Sequence, residues 1–323
     1  MQGDLGAWLD AASGTDEEFV DRIWPLVLRR PPETDGRERA LAKLREGSLS
    51  RARLLQELVA SDEFDRVAVL ADGLARATAE RARPGEPGRP RELTAPAGSD
   101  ERAVEIPWSL ARYRGEPRVL DVGYAFAEPA YLAGLAGLGA GELVGVDLAQ
   151  AEVPGLRSVV ADIRELPFPN ESFDLAFCIS TLEHVGRDNE VYDIDAAPDE
   201  AGDEAALREL HRVLTKDGRL LISVPTGEHE DQGWQIVRTP EDWIALFERC
   251  GFLVYEDELY VHEADGWRTA TLADASRARY GATGPGAGAV LLAELHPDTF
   301  GGKMRLAVRD VRHRDEIRRS TIA

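Results

Sequence analysis

Residues able to do chemistry gather at the ends of short apolar runs. Asp121-Val122-Gly123 ends PRVLDVG, and Asp147 ends ELVGVD 26 residues later. Asp162 ends RSVVADI with Ile163 beside it, and Ser180 to His184 stand at and after the end of the fourth run, FDLAFCIS. An acid at the end of the second such run can accept hydrogen bonds from a ribose diol. Each acid alone reads equally well as a cap or a turn. All four, in order at successive strand ends, point to one crevice beyond the carboxyl edge of a sheet, where ligands of open parallel sheets bind. Two acidic stretches follow. Residues 183–209 hold ten acids against Arg187 and Arg208, and residues 228–263 hold ten against Arg238 and Arg249. These are either solvated faces or a negative mouth that gathers a cationic ligand, and the fold decides which.

The elements that must position these residues follow a strand–turn–helix rhythm from about residue 117. AYLAGLAGLG is compatible with a helix between the first two strands. FDLAFCIS is apolar apart from Asp174 and its final serine, as strands buried on both faces largely are, so Cys178 within it reads as core. DEAALRELHRVLTKDG predicts an amphipathic helix stopped by Gly218, with His211 structural. RLLISVPT is a fifth strand. TPEDWIALFERCG is another helix, capped by Thr239, with Pro240 at its first position and Gly251 as its stop. GFLVYEDE and GAVLLAELH are two later strands. This alternation predicts an α/β fold over residues 101–323, a mostly parallel, Rossmann-like sheet with helices on both faces. Residues 82–100, ARPGEPGRPRELTAPAGSD, have the composition of a linker. Residues 1–81 predict a small all-α domain. One helix starts near Asp16 with Phe19, Val20, Ile23, Val27 and Leu28 on a stripe, RRPPETDG breaks it, a second helix runs through ERALAKLREG, and a third covers SRARLLQELVASDEF.

The chain has 323 residues, 38 of them basic and 59 acidic, for a net charge of −21. That balance argues against nucleic acid as a partner, which needs a basic footprint, and against an anionic membrane surface. No apolar run reaches the roughly 18 residues of a spanning helix. MQGDLGAWLD lacks the basic start and apolar stretch of a signal peptide. Cys178 and Cys250 give neither a disulfide framework nor a zinc cluster. The expectation is a cytoplasmic globular protein with a small-molecule ligand and no metal.

As an ensemble the motifs resemble the class I S-adenosylmethionine-dependent methyltransferases, over roughly residues 101–295. VLDVGYAFAE stands at the glycine-rich first motif and GVDLA at the ribose acid. ADIRELPFPNESFDLAFCISTLEHV covers the adenine-side and post-strand-four motifs, and LRELHRVLTKDGRLLISVP the following helix and strand. The resemblance implies S-adenosylmethionine as cofactor and S-adenosylhomocysteine as product. It places Asp121 and Gly123 against the methionine portion, with Ser180 lining the same end. Asp147 would hold the ribose hydroxyls and Asp162 the adenine amine, with the Ile163 N–H beside it. Tyr124, Ala125 and Leu148 complete the expected cofactor set. The first motif departs from the family at Ala125 and Ala127, where small residues, typically glycines, alternate after Gly123. Alanine restricts positive φ, and such a loop suits a phosphate-free sulfonium donor better than a dinucleotide pyrophosphate. The N-terminal segment resembles the bacterial DUF4214-type helical domain through RRPPETDG, GSLSRA and SDEF, which implies a docking or homodimerising appendage and no catalytic residue.

Methyl transfer to an amine requires a neutral nitrogen, whereas a sugar hydroxyl benefits from a positioned base or a metal. In the fold of the resemblance the acceptor enters over strands four and five, where the two acidic stretches lie. The negative charge therefore reads as a mouth for a polycationic acceptor, and the pattern is similar to enzymes that N-methylate gentamicin-type aminoglycosides. His184 and His229 are the expected proton acceptors, with ordinary pKa values near neutrality. Glu183, Asp188, Asp193, Asp195, Glu228, Glu230 and Asp231 are the expected ammonium anchors. Tyr192 and Trp234 can stack on sugar rings, and Glu105 and Trp108 can close the pocket. Two alternatives stay open: a sugar O-methyltransferase, with or without a metal held by Asp193 and Asp195, and a non-catalytic amino-sugar binding protein whose cofactor loop is spoiled by Ala125 and Ala127.

Overall fold

The computed structural model describes residues 13–28, 31–81, 93–190, 198–284, 286–299, 303 and 306. Among the described residues the N-terminal part holds the helices α1 (Asp16–Leu28), α2 (Thr34–Arg45), α3 (Arg51–Val59) and α4 (Asp62–Arg81). The apolar stripe of α1 packs Phe19, Ile23 and Val27 against Leu41, Leu54 and Leu58 of the next two helices. Ser50 caps α3 by accepting the Arg53 amide at 3.2 Å. The third helix expected from sequence is split at Ala60–Ser61, because Ser61 Oγ accepts the Phe64 amide at 3.2 Å and starts α4 afresh. α4 then leaves the N-terminal cluster. Leu70 and Ala77 join a second cluster on one face of the sheet. Gly73 lies so close to α5 (Arg102–Ala111) that a Cβ there would come within 2.5 Å of Pro107 Cγ.

The rest of the chain builds a nine-stranded sheet. In chain order its strands are β1 (Ala95–Pro96), β2 (Arg118–Val122), β3 (Glu142–Asp147), β4 (Arg157–Val160) and β5 (Phe173–Ile179). They continue as β6 (Leu214–Pro225), then β9 (Phe252–Glu263), β10 (Gly266–Thr269) and β11 (Ala289–Pro297), with a separate hairpin of β7 (Glu230–Asp231) and β8 (Ile236–Val237). The order across the sheet is β4-β3-β2-β5-β6-β11-β9-β10-β1. β4 through β6 pair in parallel, and β11 inserts antiparallel between β6 and β9. α7 (Gly202–Val213) and α8 (Pro240–Arg249) cover one face with Leu207, Leu210, Trp243 and Phe247. α4, α5 and α6 (Pro129–Ala136) cover the other with Leu70, Trp108 and Tyr131. A short helix, α9 (Leu272–Ala275), sits between β10 and β11. This is the expected α/β, Rossmann-like architecture.

Two further boundaries differ from the sequence reading. The end of the expected linker 82–100 is drawn into the sheet as β1, with Leu93 and Ala95 buried. α7 ends at Val213 and not at Gly218, because Leu214, 2% exposed, is drawn into the sheet opposite Phe173 and LTKDG becomes the start of β6. Connections run outward from β2 to β3 on one side and from β5 to β6 on the other. A crevice therefore opens at the carboxyl ends of β2 and β5, the switch point of the sheet. Among the described residues no helix is long and apolar enough to cross a membrane.

Candidate active site

The crevice contains a cleft with a cavity volume of about 170 Å³, lined by Asp121, Gly123, Asp147, Asp162, Ile163 and Ser180 among others. Gly123 turns the chain out of β2 with φ of +85°, and its amide donates to the Val146 carbonyl at 2.9 Å. A Cβ on Gly123 would stand 2.2 Å from Thr181 Oγ1, so the bare α-carbon makes room for the next segment and leaves a cradle at the cleft wall. Asp147 is held open-handed at the end of β3. Its Oδ2 accepts the Ala125 amide at 2.9 Å and its Oδ1 the Ala149 amide at 3.0 Å, which fixes the carboxylate at the cleft. Asp121, 1% exposed, accepts the Tyr131 hydroxyl at 2.5 Å, and burial pushes its pKa up to about 8. Phe126, 54% exposed, and Leu148, 37% exposed, offer apolar surface at the same cleft. Asp162 carries the Arg164 guanidinium across both carboxylate oxygens, at 2.7 to 3.0 Å. Burial works against ionisation there, but Arg164 holds the Asp162 carboxyl below its usual range.

Ser180 ends β5 with φ of +44°, a left-handed conformation that costs a non-glycine residue about 1–3 kcal/mol. Its neighbours over-determine it. The Ser180 amide donates to Ser223 Oγ at 2.9 Å, and its hydroxyl donates to Glu105 Oε1 at 2.8 Å. Beyond Ser180 a second, smaller cavity of about 90 Å³ shares Arg102, Ser180 and His184 with the cleft. Glu101, Glu183, Trp234, Gln235 and Tyr280 complete its polar wall. Arg102 Nη1 donates to Glu105 Oε2 at 2.7 Å and lies 3.8 Å from Glu101 Oε1, so two carboxylates take its charge. Glu105 is wholly buried, and burial raises its pKa against the pull of Arg102. Glu183 is 2% exposed, its Oε2 has no hydrogen-bond partner, and burial pushes its pKa up to about 8.

His184 belongs to both cavities. Its Nδ1 lies 3.0 Å from the Trp234 carbonyl, which can only accept, so Nδ1 carries the hydrogen. The ring stacks on Trp234 with centroids 5.2 Å apart. Burial pulls its pKa down to about 4, which corrects the expectation of a near-neutral value.

The other expected residues divide. Glu105 and Trp234 stand at the smaller cavity, Glu105 through Arg102 and Ser180. Trp108 does not close it: the side chain is fully buried in the core beneath the sheet, donates to Glu258 at 3.1 Å and lies under the Arg112 guanidinium at 3.9 Å. Tyr124 also points into the core, with its hydroxyl on Ala151 and Ser158, and is no part of the cleft wall. Ala125 acts through its amide on Asp147. His229, just before β7, and Glu230, within it, are exposed. Glu228 pairs with Arg279 at 2.6 Å and Asp231 with Arg187 at 2.7 Å, while Asp188 is exposed and accepts the Glu190 amide at 3.0 Å. None of these five lines either cavity. Tyr192, Asp193 and Asp195 lie outside the described residues. Sequence reasoning passed over Glu101, Arg102, Thr181 and Tyr280. The spacing Glu101–Glu105 on an early helix was a usable signal for the first two; Tyr280 sits in a glycine-rich stretch with none.

The site meets the demands of a sulfonium donor on its own geometry: a cradle at Gly123, a fixed carboxylate at Asp147 and apolar surface at Leu148 and Phe126. Residues 120–222 match the family described as "Methyltransferase domain". Residues 120–222 thus form a methyltransferase domain on a Rossmann-like sheet, with S-adenosylmethionine as its cofactor. Solved structures similar to it include the YcgJ protein of Bacillus subtilis, 17% identical, with 60% of this chain and 98% of that chain covered and a TM-score of 0.41. The putative methyltransferase in complex with the Trm112 activator of Haloferax volcanii is 20% identical, with 59% and 87% covered and a TM-score of 0.41. The 1,6-didemethyltoxoflavin-N1-methyltransferase of Burkholderia thailandensis, solved with 1,6-didemethyltoxoflavin and S-adenosylhomocysteine, is 14% identical, with 86% and 91% covered and a TM-score of 0.40. A search of the curated proteins found no match.

Proposed function

We propose that the protein is an S-adenosylmethionine-dependent N-methyltransferase acting on an amino group of a polycationic amino sugar, an aminoglycoside-type intermediate. One observation carries this reading: the smaller cavity, which adjoins the donor cleft across Ser180, is acidic and under-compensated. Glu101 and Glu105 take up the charge of Arg102, and Glu183 is left with a buried, unpartnered oxygen. An ammonium about 4 Å from such a carboxylate gains up to roughly 4 kcal/mol at an intermediate dielectric, before desolvation. A neutral sugar hydroxyl supplies no charge to offset that burial. Trp234, stacked on His184, lines the same cavity and supplies it with an aromatic wall.

In this reading Asp147 orients the ribose, Asp121 and Gly123 lie along the methionine portion, and Asp162 with Ile163 meets the adenine. Asp188, Glu228, Glu230 and Asp231 belong to an outer rim that draws in cations without touching the reacting atoms. The N-terminal helices bury their own apolar stripe and serve as a docking or homodimerising module, as a DUF4214-type domain would. Mass spectrometry of amino sugars and neutral sugars incubated with the enzyme and S-adenosylmethionine tests the acceptor class. The mass gain of one methyl group on amino sugars alone is expected. A gain on neutral sugars alone refutes the proposal.

A further inference from the structure

We infer that Glu183 is the proton acceptor of the reaction, taking a proton from the acceptor's ammonium in the smaller cavity so that the freed nitrogen can attack across Ser180. This rests on the amine reading above and deepens it. The geometry leaves few other groups for the task. His184 was the candidate by residue type, but burial lowers its pKa to about 4, so its Nε2, 3.8 Å from Glu183 Oε1, is a weak base, while its Nδ1 hydrogen is given to the Trp234 carbonyl. Glu105 is spoken for by Arg102 and Ser180. Glu101 faces Arg102 and accepts the Ala287 amide at 3.2 Å. His229 is exposed and lines neither cavity. Glu183 alone among the carboxylates lining the smaller cavity presents a buried oxygen with no partner.

The chemistry balances with the groups at hand. Glu101, Arg102 and Glu105 from α5, Cys178 from β5, neighbouring His184 and Tyr280 surround the Glu183 carboxyl. In that setting the empty-handed group rests largely as the acid. An arriving ammonium favours its ionised form, and one proton leaves to water. The ammonium then gives one proton to the carboxylate. Its nitrogen lone pair forms the new N–C bond while the C–S bond breaks with its electron pair kept by sulfur. The products are a methylated ammonium and a neutral thioether.

The test compares wild type with Glu183→Gln and Glu183→Asp on glucosamine, neamine and kanamycin, from about pH 6 to about pH 10. Affinity for S-adenosylhomocysteine serves as the folding control. For the Gln variant, kcat near pH 7 is expected to fall about 100-fold, the usual worth of a general base. The deficit should shrink at least tenfold toward pH 10, where the amine arrives already neutral. The Asp variant should keep more activity than the Gln variant. Wild-type kcat/KM should rise with pH through about 8. A Gln variant as active as wild type, or a deficit constant at every pH, overturns the role of Glu183 and leaves the amine reading standing. If wild type methylates none of the amino sugars, the amine reading falls and this role with it. Should the Gln variant lose the folding control, the wild-type profile and the Asp variant decide: a flat profile overturns the assignment.

Discussion

The turn at Gly123 allows a perturbation whose two costs can be separated. Gly123→Ala forces an L-residue to hold φ of +85°, which costs about 1–2 kcal/mol for a left-handed conformation. It also drives a methyl group to 2.2 Å from Thr181 Oγ1 and 2.6 Å from Cγ2, closer than real Cβ atoms approach. Overpacking of that kind adds about 1–3 kcal/mol, so the variant should lose roughly 2–5 kcal/mol. Thr181→Ala removes both offending atoms and leaves the Thr181 Cβ at 3.0 Å. In that background the backbone term outweighs the remaining 3.0 Å contact, and Gly123→Ala should cost about 1–2 kcal/mol. Urea denaturation of the four proteins of the cycle measures the difference. Calorimetry with S-adenosylhomocysteine reads the same displacement at the site, where at least a tenfold weaker affinity is expected, about 1.4 kcal/mol. A cost below about 1 kcal/mol, or the same cost in both backgrounds, would show that neither the positive φ nor the Thr181 contact shapes this loop.

Other perturbations probe different parts of the argument. Asp147→Ala removes a carboxylate fixed by two amides and should weaken S-adenosylhomocysteine binding at least tenfold, about 1.4 kcal/mol, by calorimetry. Asp121 titrates near 8 when folded and near its ordinary value when unfolded, so folding takes up a proton between those limits and its stability contribution, full below about pH 4, is lost as pH rises toward about 8. Asp121→Asn keeps an acceptor for Tyr131 and removes that dependence; its thermal midpoint should gain on wild type between about pH 6 and about pH 8, at roughly 1 kcal/mol per unit, and parallel curves would contradict the assignment. Deleting residues 1–61 should leave S-adenosylhomocysteine affinity within about twofold, whereas deleting 1–81 strips Leu70 and Ala77 from α5 and should yield an unstable or aggregated protein, since one buried leucine is worth about 1.5–3 kcal/mol.

The strand-end residues were legible because a parallel sheet writes its site plainly. Apolar runs such as FDLAFCIS announce buried strands, and whatever polar residue ends them faces the crevice. Asp121, Gly123, Asp147, Asp162 and Ser180 all line the cleft. Direction was not legible. Tyr124 follows Gly123 immediately, yet its ring packs against Gly145 on the buried side, where a Cβ would meet it at 2.8 Å. Trp108 lies three residues from Glu105 on α5, yet faces the core and the Arg112–Glu258 pair while Glu105 reaches Arg102 and Ser180. Helix ends were equally contingent: Gly218 is a plausible stop, but the pairing of Leu214 with Phe173 ended α7 five residues earlier.

Charge counting finds the acidic stretches but not which of their side chains line a cavity. Dense acidic stretches are easy to see, yet a side chain in such a stretch has solvent and nearby arginines to satisfy it, as Arg279 satisfies Glu228 and Arg187 satisfies Asp231. Exposed pairs of that kind are worth about 0–1 kcal/mol. The acids that matter for an incoming cation are those that water cannot reach and no arginine neutralises, and composition does not reveal them. Glu183 was one acid among ten in its stretch; the fold singles it out by burying it in a cavity with Trp234 and Tyr280, near an arginine already engaged by Glu101 and Glu105. The same burial that lifts its pKa lowers that of His184 next to it. Two adjacent residues in one sequence motif thereby exchange the roles their side-chain types suggest: the carboxyl becomes the group poised near physiological pH, and the imidazole becomes a fixed wall.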